Sequence, residues 1–363
     1  LRGRARSLEQ DSEITRRALD VLENNVVGPG IRPEISTGNR KMDKAIEDAW
    51  ESWAHDCDIT GWSTFYELQR MVLRRVYVDG EIFANKVVRS DGLKLQLLEP
   101  EHLDSGYSSI LQTDNGSTIV AGVEIDKYSR PLGYWFSSSA SNPYSSNLLP
   151  SAERFDAKDV LHLYFKMRPQ QVRGVSVFTS IIRRIRDVDE YMDAKVIAAR
   201  IAACMAVFVT TPDPAARFAG TSVDEGDATK RVKTIKPGTV NYMRPGETIN
   251  TAAPSGAESG STDVLASQLR LVALGLNLSY ELLSGDLSRV NFSSGRMGSM
   301  EDRKHFKRDQ QWLVDHLCRP VFRAWLDTAT LKGQVEIPDY WQNPDKYLSA
   351  VTWKCPGWAW VDP

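Results

Sequence analysis

The sequence predicts an α+β chain built from several modules, and three observations carry that expectation. Apolar residues recur at helical spacing in long blocks towards both ends of the chain. Short β-branched and aromatic segments fill residues 81–165, and two long helical patterns flank a stretch rich in Gly, Pro, Ala, Thr and Ser. At 363 residues the chain is long enough for two or three packed units, or for one elongated subunit made of several modules. Hydrophobic residues make up 42% and charged residues 25%, as in an ordinary folded protein, which excludes disordered, collagen-like and coiled-coil classes.

From Ser7 to Val26 the residues Ile14, Ala18, Val21 and Leu22 keep helical spacing, with Ser7 and Gln10 placed for a capping box and Gly28-Pro29-Gly30 as the stop. A second helix is expected over 40–57, with Met42, Ile46, Ala49, Trp50 and Trp53 on one face. A third begins at Thr64, whose hydroxyl pairs in spacing with Glu67, and runs to about Asp79. The period then shortens. Glu81–Val88, Leu93–Leu98, Ile119–Ile125, Leu132–Ser137 and Val160–Phe165 read as strands of a mainly antiparallel sheet, cut by turns such as Asp91-Gly92 and Arg130-Pro131. The Ser- and Asn-rich stretch 137–150 reads as an exposed loop.

After Gly174 comes the longest helical pattern: Val177, Ile181, Ile185, Val188, Met192, Val196, Ala199 and Ala203, running to about Ala206. Its length is roughly 45 Å at about 1.5 Å per residue. Arg183, Arg184, Arg186, Asp187, Asp189, Glu190, Asp193, Lys195 and Arg200 load its other side with charge, as an amphipathic helix requires. Residues 209–260 carry the basic cluster Lys230, Arg231, Lys233 and Lys236, and two Pro-Gly turns bracket the short strand Thr239–Met243. Helical spacing returns over Thr262–Leu283. A polar loop, 285–294, leads to a helix from about Gly295 to Thr328 that is basic in its first half and apolar in its second, with Pro320 expected to kink or break it. The tail is Trp-rich and strand-like.

Charge and motif content exclude several function classes. With 45 basic and 47 acidic residues the formal charge is −2, so no bulk positive charge drives tight adhesion to nucleic acid, and any such contact must be local or weak. Cys57, Cys204, Cys318 and Cys355 are far apart and show no C-x-x-C spacing, against a disulfide framework or a zinc knuckle. The longest apolar run, 196–209, is interrupted by Arg200 and is too short to cross a bilayer. Arg2, Arg4 and Arg6 are not followed by an apolar segment, so the start is not a secretory signal; opening on Leu1, it is expected to be trimmed or processed. Phosphate loop, nucleophile elbow and H-E-x-x-H motifs are all missing from the sequence. The pairs His55/Cys57 and His316/Cys318 would point about 200° apart on a helix and read as packing residues.

Seven stretches taken in order resemble one family. They are Asn24–Pro33, Asp79-Gly-Glu-Ile-Phe83, Gly122–Asp126 with Arg130–Tyr134, Arg173-Gly-Val-Ser176, Tyr280–Asp286, Asn291-Phe-Ser-Ser294 and Trp358-Ala-Trp-Val-Asp-Pro363. Together they span nearly the whole chain and are similar to the portal proteins of lambda-type tailed bacteriophages. The resemblance implies a phage portal fold: a mixed α/β wing (1–176 and 295–363), a two-helix stem (177–207 and 262–284), a small β clip (208–261) and a tunnel loop (285–294) followed by a kinked helix. The family generally continues past the final Trp-x-Trp-x-Asp-Pro, which implies a C-terminal crown beyond residue 363.

The same resemblance implies a homododecameric ring at one capsid vertex, through which double-stranded DNA is packaged and ejected. Its partners would be the major capsid or scaffold proteins, the terminase large subunit that supplies the energy, and head-completion or adaptor proteins. No cofactor, catalytic residue, metal site or membrane is implied; assembly would occur in the bacterial cytoplasm and the final location would be the virion. Asp286, Ser288, Arg289, Asn291, Phe292 and Ser293 would form the tunnel loop, Arg183, Arg184, Arg186 and Lys195 the charged stem face, and Lys230, Arg231, Lys233 and Lys236 the docking surface of the clip. Twelve chains at −2 each would give a wall that repels the duplex, leaving Arg289 and Asn291 to make brief, sequence-independent contacts, or simply to be solvated as loop residues. Two rivals stand beside this reading: another ring-forming adaptor or minor capsid protein, which would lack a long stem flanking a basic clip, and a nuclease, which would need clustered acidic metal ligands.

Overall fold

The computed structural model describes residues 1–108, 116–137, 152–203, 207–210, 248–251, 261–288 and 290–358. The clip cluster Lys230, Arg231, Lys233 and Lys236, the expected strand 239–243, loop residues 138–150 and Arg289 lie outside them. The chain divides into two compact units, one comprising Leu1–Asp187 with Ala266–Pro363, the other Val188–Leu265.

In the larger unit, helices α1 (Arg2–Asp11) and α2 (Glu13–Val26) replace the single helix expected over 7–26. They part at Ser12, which is extended, and Ser7 sits inside α1 donating its hydroxyl to Gly3 O instead of capping. Strand β1 (Arg32–Ile35) leads to α3 (Arg40–His55) and α4 (Phe65–Asp79). The capping box of α4 is formed as its spacing predicts: Glu67 N–H donates to Thr64 Oγ1 at 3.3 Å and Thr64 N–H donates to Glu67 Oε2 at 2.7 Å.

Strands β2 (Glu81–Arg89), β3 (Gly92–Leu98) and β8 (Val160–Tyr164) form an antiparallel sheet in the order β3-β2-β8. A second antiparallel sheet runs β4 (Thr118–Val120), β5 (Val123–Ile125), β6 (Pro131–Ser137) and β7 (Ala152–Asp156). The single strand expected over 119–125 is therefore two. They are joined by Ala121 and Gly122 at φ 51° and 82°, a two-residue hairpin turn whose Ala-Gly sequence does not advertise it.

A short 3-10 turn, Val177–Ser180, precedes α5 (Ile182–Ala203), the helix expected from 177. The second long pattern becomes α6 (Ser261–Gly275) and the one-turn helix α7 (Tyr280–Ser284), broken where Asn277 takes φ 54°. Helix α8 (Phe292–Leu313) continues through a π turn, Val314–Cys318, into α9 (Arg319–Leu331). Pro320 has no N–H to offer the preceding turn. The helix absorbs it by widening, with Arg319 N–H reaching back to Val314 O, rather than by breaking. A short helix, α10 (Pro344–Ser349), precedes β11 (Val351–Lys354), which pairs with β1 and ties the far end of the chain to residues 32–35.

The main core lies among α2, α3, α4, α8 and α9. Trp50 sits at its centre, with ring centroids of Phe65, Phe322 and Trp325 at 5.3, 5.2 and 5.1 Å. Phe83, Leu98, Val123, Tyr134, Phe136 and Val160 form a second cluster between the two sheets. In the smaller unit β9 (Val207–Thr210) and β10 (Thr248–Thr251) make one antiparallel pair.

Candidate functional site

The loop between α7 and α8 is polar and exposed, but its base is fastened. Asp302 on α8 is buried, and it accepts from Ser279 N–H at 3.0 Å and from Ser279 Oγ at 2.6 Å, locking the start of α7 to α8. Burial pushes the Asp302 carboxyl above its ordinary range against the lowering effect of those two bonds. Leu283 is buried, and Gly285 N–H closes α7 on Glu281 O at 2.8 Å. Asp286 N–H donates to Ser284 Oγ and Ser288 N–H donates to Asp286 Oδ1, so the loop leaves its anchor along a defined path. Asn291 stands at the start of α8, its carbonyl accepting from Gly295 N–H at 3.0 Å.

Asp286, Ser288, Asn291 and Ser293 are exposed, and Phe292 opens α8. Sequence reading missed Leu287, whose side chain is 68% exposed at the tip and whose carbonyl accepts from Val290 N–H. Of the expected stem cations, Arg183 and Arg186 are exposed, whereas Arg184 is half-buried and donates from Nη1 to Gln268 Oε1 on α6 at 2.7 Å. In the smaller unit Lys195 lies over the ring of Tyr191, 5.6 Å from its centroid. Among the described residues no group of three or more His, Cys, Asp and Glu side chains is arranged to hold a metal ion. Of the two His-x-Cys pairs, Cys57 and Cys318 are buried while His55 is exposed and His316 stacks on Trp312.

A second site has no counterpart in the sequence reading. Glu81, at the head of β2, has no exposed surface, yet it collects three basic side chains. Arg173 donates from Nη2 and Nε to Oε1 at 2.6 and 2.9 Å, Arg2 donates to the same oxygen at 3.1 Å, and Gly174 N–H donates to Oε2 at 2.7 Å. His162 Nε2 lies 3.0 Å from Oε2, and because a carboxylate only accepts, the imidazole proton sits on Nε2. Burial alone would raise the Glu81 carboxyl. The bonds and charges of His162 and Arg173 outweigh it and set the group at about 2. Next to it Asp79, also fully buried, takes a bidentate grip from Arg6 at 2.7 and 3.0 Å.

Glycine makes this approach possible. Gly80 ends α4 at φ 91°, and a Cβ on Gly174 would fall 2.1 Å from Gly80 O, so any side chain there would drive the two segments apart. Ser176 completes the join by donating to Tyr77 O at 3.1 Å. The stretches 79–83 and 173–176, separate in sequence, are thus two sides of one contact, and Arg173 Nη1 extends it to Ala121 O beside Gly122. Residues 24–33 meet the Trp-rich tail in the same manner: Trp358 Nε1 donates to Asn25 Oδ1 at 2.7 Å, and Gln310 Nε2 bridges Asn25 O and Pro356 O at 3.0 Å each.

Known proteins are similar to this chain over most of its length. The model of a family described as phage portal protein, lambda family, matches residues 1–310. A probable portal protein of Halomonas phage phiHAP-1 is 28% identical over 384 residues, covering 100% of this chain and 72% of that protein. Portal protein B of Escherichia phage lambda is 21% identical over 379 residues, covering 93% of this chain and 70% of its own length. Among solved structures, the neck of an empty GTA (gene transfer agent) particle computed with C6 symmetry superposes with a TM-score of 0.52 at 13% identity over 98% of this chain and 83% of that one. The neck of the native particle computed with C12 symmetry gives 0.51, also at 13% identity, over 97% and 83%. At that identity the superpositions speak for the fold, while the match over residues 1–310 speaks for descent: the chain belongs to the lambda family of phage portal proteins.

Proposed function

We propose that this chain is the repeating subunit of a ring at one vertex of a phage capsid, enclosing the channel through which double-stranded DNA enters and leaves. The observation that carries the reading is the loop 285–291. Its Asp286, Leu287, Ser288 and Asn291 are exposed, its base is tied down by Asp302 and Ser279, and it is set in a member of the portal family between the helices expected to form the stem and the long helix α8. A loop that must touch a passing polymer without holding it needs a fixed base and weak, sequence-indifferent groups at its end. In sequence, 284–291 supplies hydroxyls, one amide, one acid and one base, with Leu287 and Val290 among them. Residues 177–207 and 262–284 would form the stem, 208–261 the clip that docks the terminase and later the head-completion proteins, and the rest the wing. The subunit would supply no catalysis of its own; energy would come from the ATP-driven partner, and the assembled ring would reside in the virion.

Electron microscopy of the purified protein under capsid-assembly conditions tests the reading. Rings with a central hole are expected, and monomers or two-fold dimers without one would overturn it. Tight binding of duplex by the ring at physiological salt would overturn the passing-contact role of the loop.

A further inference from the structure

Helix α8 leaves the loop with most of its acids inside and its lysines outside. Two of its three acids are withdrawn into the fold: Asp302 caps Ser279, and Asp309 is buried, accepting from Tyr77 Oη at 2.7 Å. Phe306, Gln310 and Leu313 lie on the same buried side. Outward, the positions three and four apart fall on one line. Met297 and Met300 come first, 74% and 55% exposed, followed by Lys304, Lys307 and Arg308. The side chains of Lys304 and Arg308 are 72% and 62% exposed, and the one outward acid beside them is Glu301.

We propose that Lys304, Lys307 and Arg308 form a phosphate-contacting ridge, touching the backbone of duplex DNA after it passes the loop; this rests on the channel reading above. Three features point to a nucleic-acid backbone. The cations sit at the ends of long, flexible side chains, so they recognise charge and not sequence. They stand on a rigid helix continuous with the loop, which holds them at a constant distance from it. Two of the three carry an internal counter-ion: Lys304 Nζ donates to Glu301 at 2.6 Å and Arg308 Nε to Asp309 at 2.9 Å. A phosphate must compete with those carboxylates, so each contact gains little and breaks easily, while Lys307 has no ion-pair partner among the described residues.

The test is duplex binding by the assembled protein, using a mixed-sequence 40-base-pair DNA from about 50 to 200 mM NaCl, the range over which phosphate contacts lose strength. The double variant Lys304→Gln/Lys307→Gln is expected to bind about three- to tenfold more weakly at the low end, with the slope of log affinity against log salt shallower by about one per lysine. Glu301→Gln, which frees Lys304, is expected to bind about two- to threefold more tightly, an outcome that a purely structural role for the ridge would not produce. Rings of the double variant that bind duplex with wild-type affinity and slope overturn the proposal. So does a double variant that stays folded but no longer forms rings, since the ridge would then be a contact between copies. Ring formation is scored separately by microscopy: a wild-type chain that forms no ring counts against the channel, and rings indifferent to Lys304 and Lys307 count against the ridge alone.

Discussion

Glu81 bears a charge with no access to water, so its stability rests on having every partner in place. Replacing it by Gln keeps the shape but leaves Arg2 and Arg173 without their carboxylate. Breaking a buried pair in this way costs about 3–5 kcal/mol, to be read from denaturant unfolding. The acid response has a definite sign. The folded carboxyl sits at about 2 against 4.5 for the free group, so the unfolded chain takes up the proton first. The stabilisation, about 3 kcal/mol, is complete above pH 4.5 and is lost as pH falls towards 2. His162 adds to this at higher pH. Burial outweighs the pull of Glu81 and holds its ring below the ordinary 6.5, so the unfolded ring again protonates first and stability begins to fall as pH drops through 6.5. A melting-temperature profile from pH 8 to 4 should therefore decline from about 6.5 downward, and His162→Gln should flatten its upper part; a wild-type profile flat to pH 5 would contradict the assignment. None of this was legible beforehand, because Arg2, His162 and Arg173 lie 79, 81 and 92 positions from Glu81. The resemblance marked 79–83 and 173–176 separately, without showing that they touch.

At the scale of elements, α4 and α1 behave oppositely. Helix α4 announces itself through Thr64, Glu67 and an apolar face, all short-range features, and its predicted start is its observed start. Helix α1 has a single buried apolar residue, Ala5, and is held by charge: Arg2 and Glu101, Arg6 with Asp79 and Glu101, and Glu9 with Arg74 and Arg75, besides Arg2 to Glu81. Apolar periodicity cannot reveal such a helix. Arg6→Ala leaves Asp79 buried with Arg75, at 3.4 Å, as its one charged side-chain partner among the described residues, and is expected to cost about 2–3 kcal/mol. Backbone amides of α1 should then exchange with solvent faster while those of α2 stay protected; equal acceleration in both would mean that α1 is not separately held. Exposed pairs such as Lys304 and Glu301 contribute far less to stability, which leaves them available for contacts outside the chain.

For the whole molecule, the larger unit closes on itself without the segment 188–265. Ile181, Ile185, Val272 and Ala273 are buried in its core, and Arg184 joins Gln268 where α5 leaves and α6 returns. Joining Asp187 to Ala266 through a short Gly-Ser linker should therefore give a protein that still unfolds cooperatively, within about 5 °C of the parent transition for this unit. Loss of the cooperative transition would show that the smaller unit is part of the fold's support. By itself the sequence determined what depends on neighbours along the chain: helical and strand periods, the capping box at Thr64, the α+β class and, through seven ordered stretches, the family. It also marked a polar loop after Ser284, whose Asp286, Ser288 and Asn291 are exposed, but extended it to 294, whereas α8 already begins at Phe292 and takes in Phe292 and Ser293. Tertiary structure alone decided which distant stretches meet. It split the first helix at Ser12, turned one strand into a hairpin at Ala121-Gly122, sealed Glu81 among Arg2, His162 and Arg173, and drew two of the three acids of α8 inside while leaving Lys304, Lys307 and Arg308 outside. The reason is physical. Hydrogen-bonded periods are local, whereas the energy of a charge depends on its distance in space from partners and water, and distance in space does not follow distance along the chain.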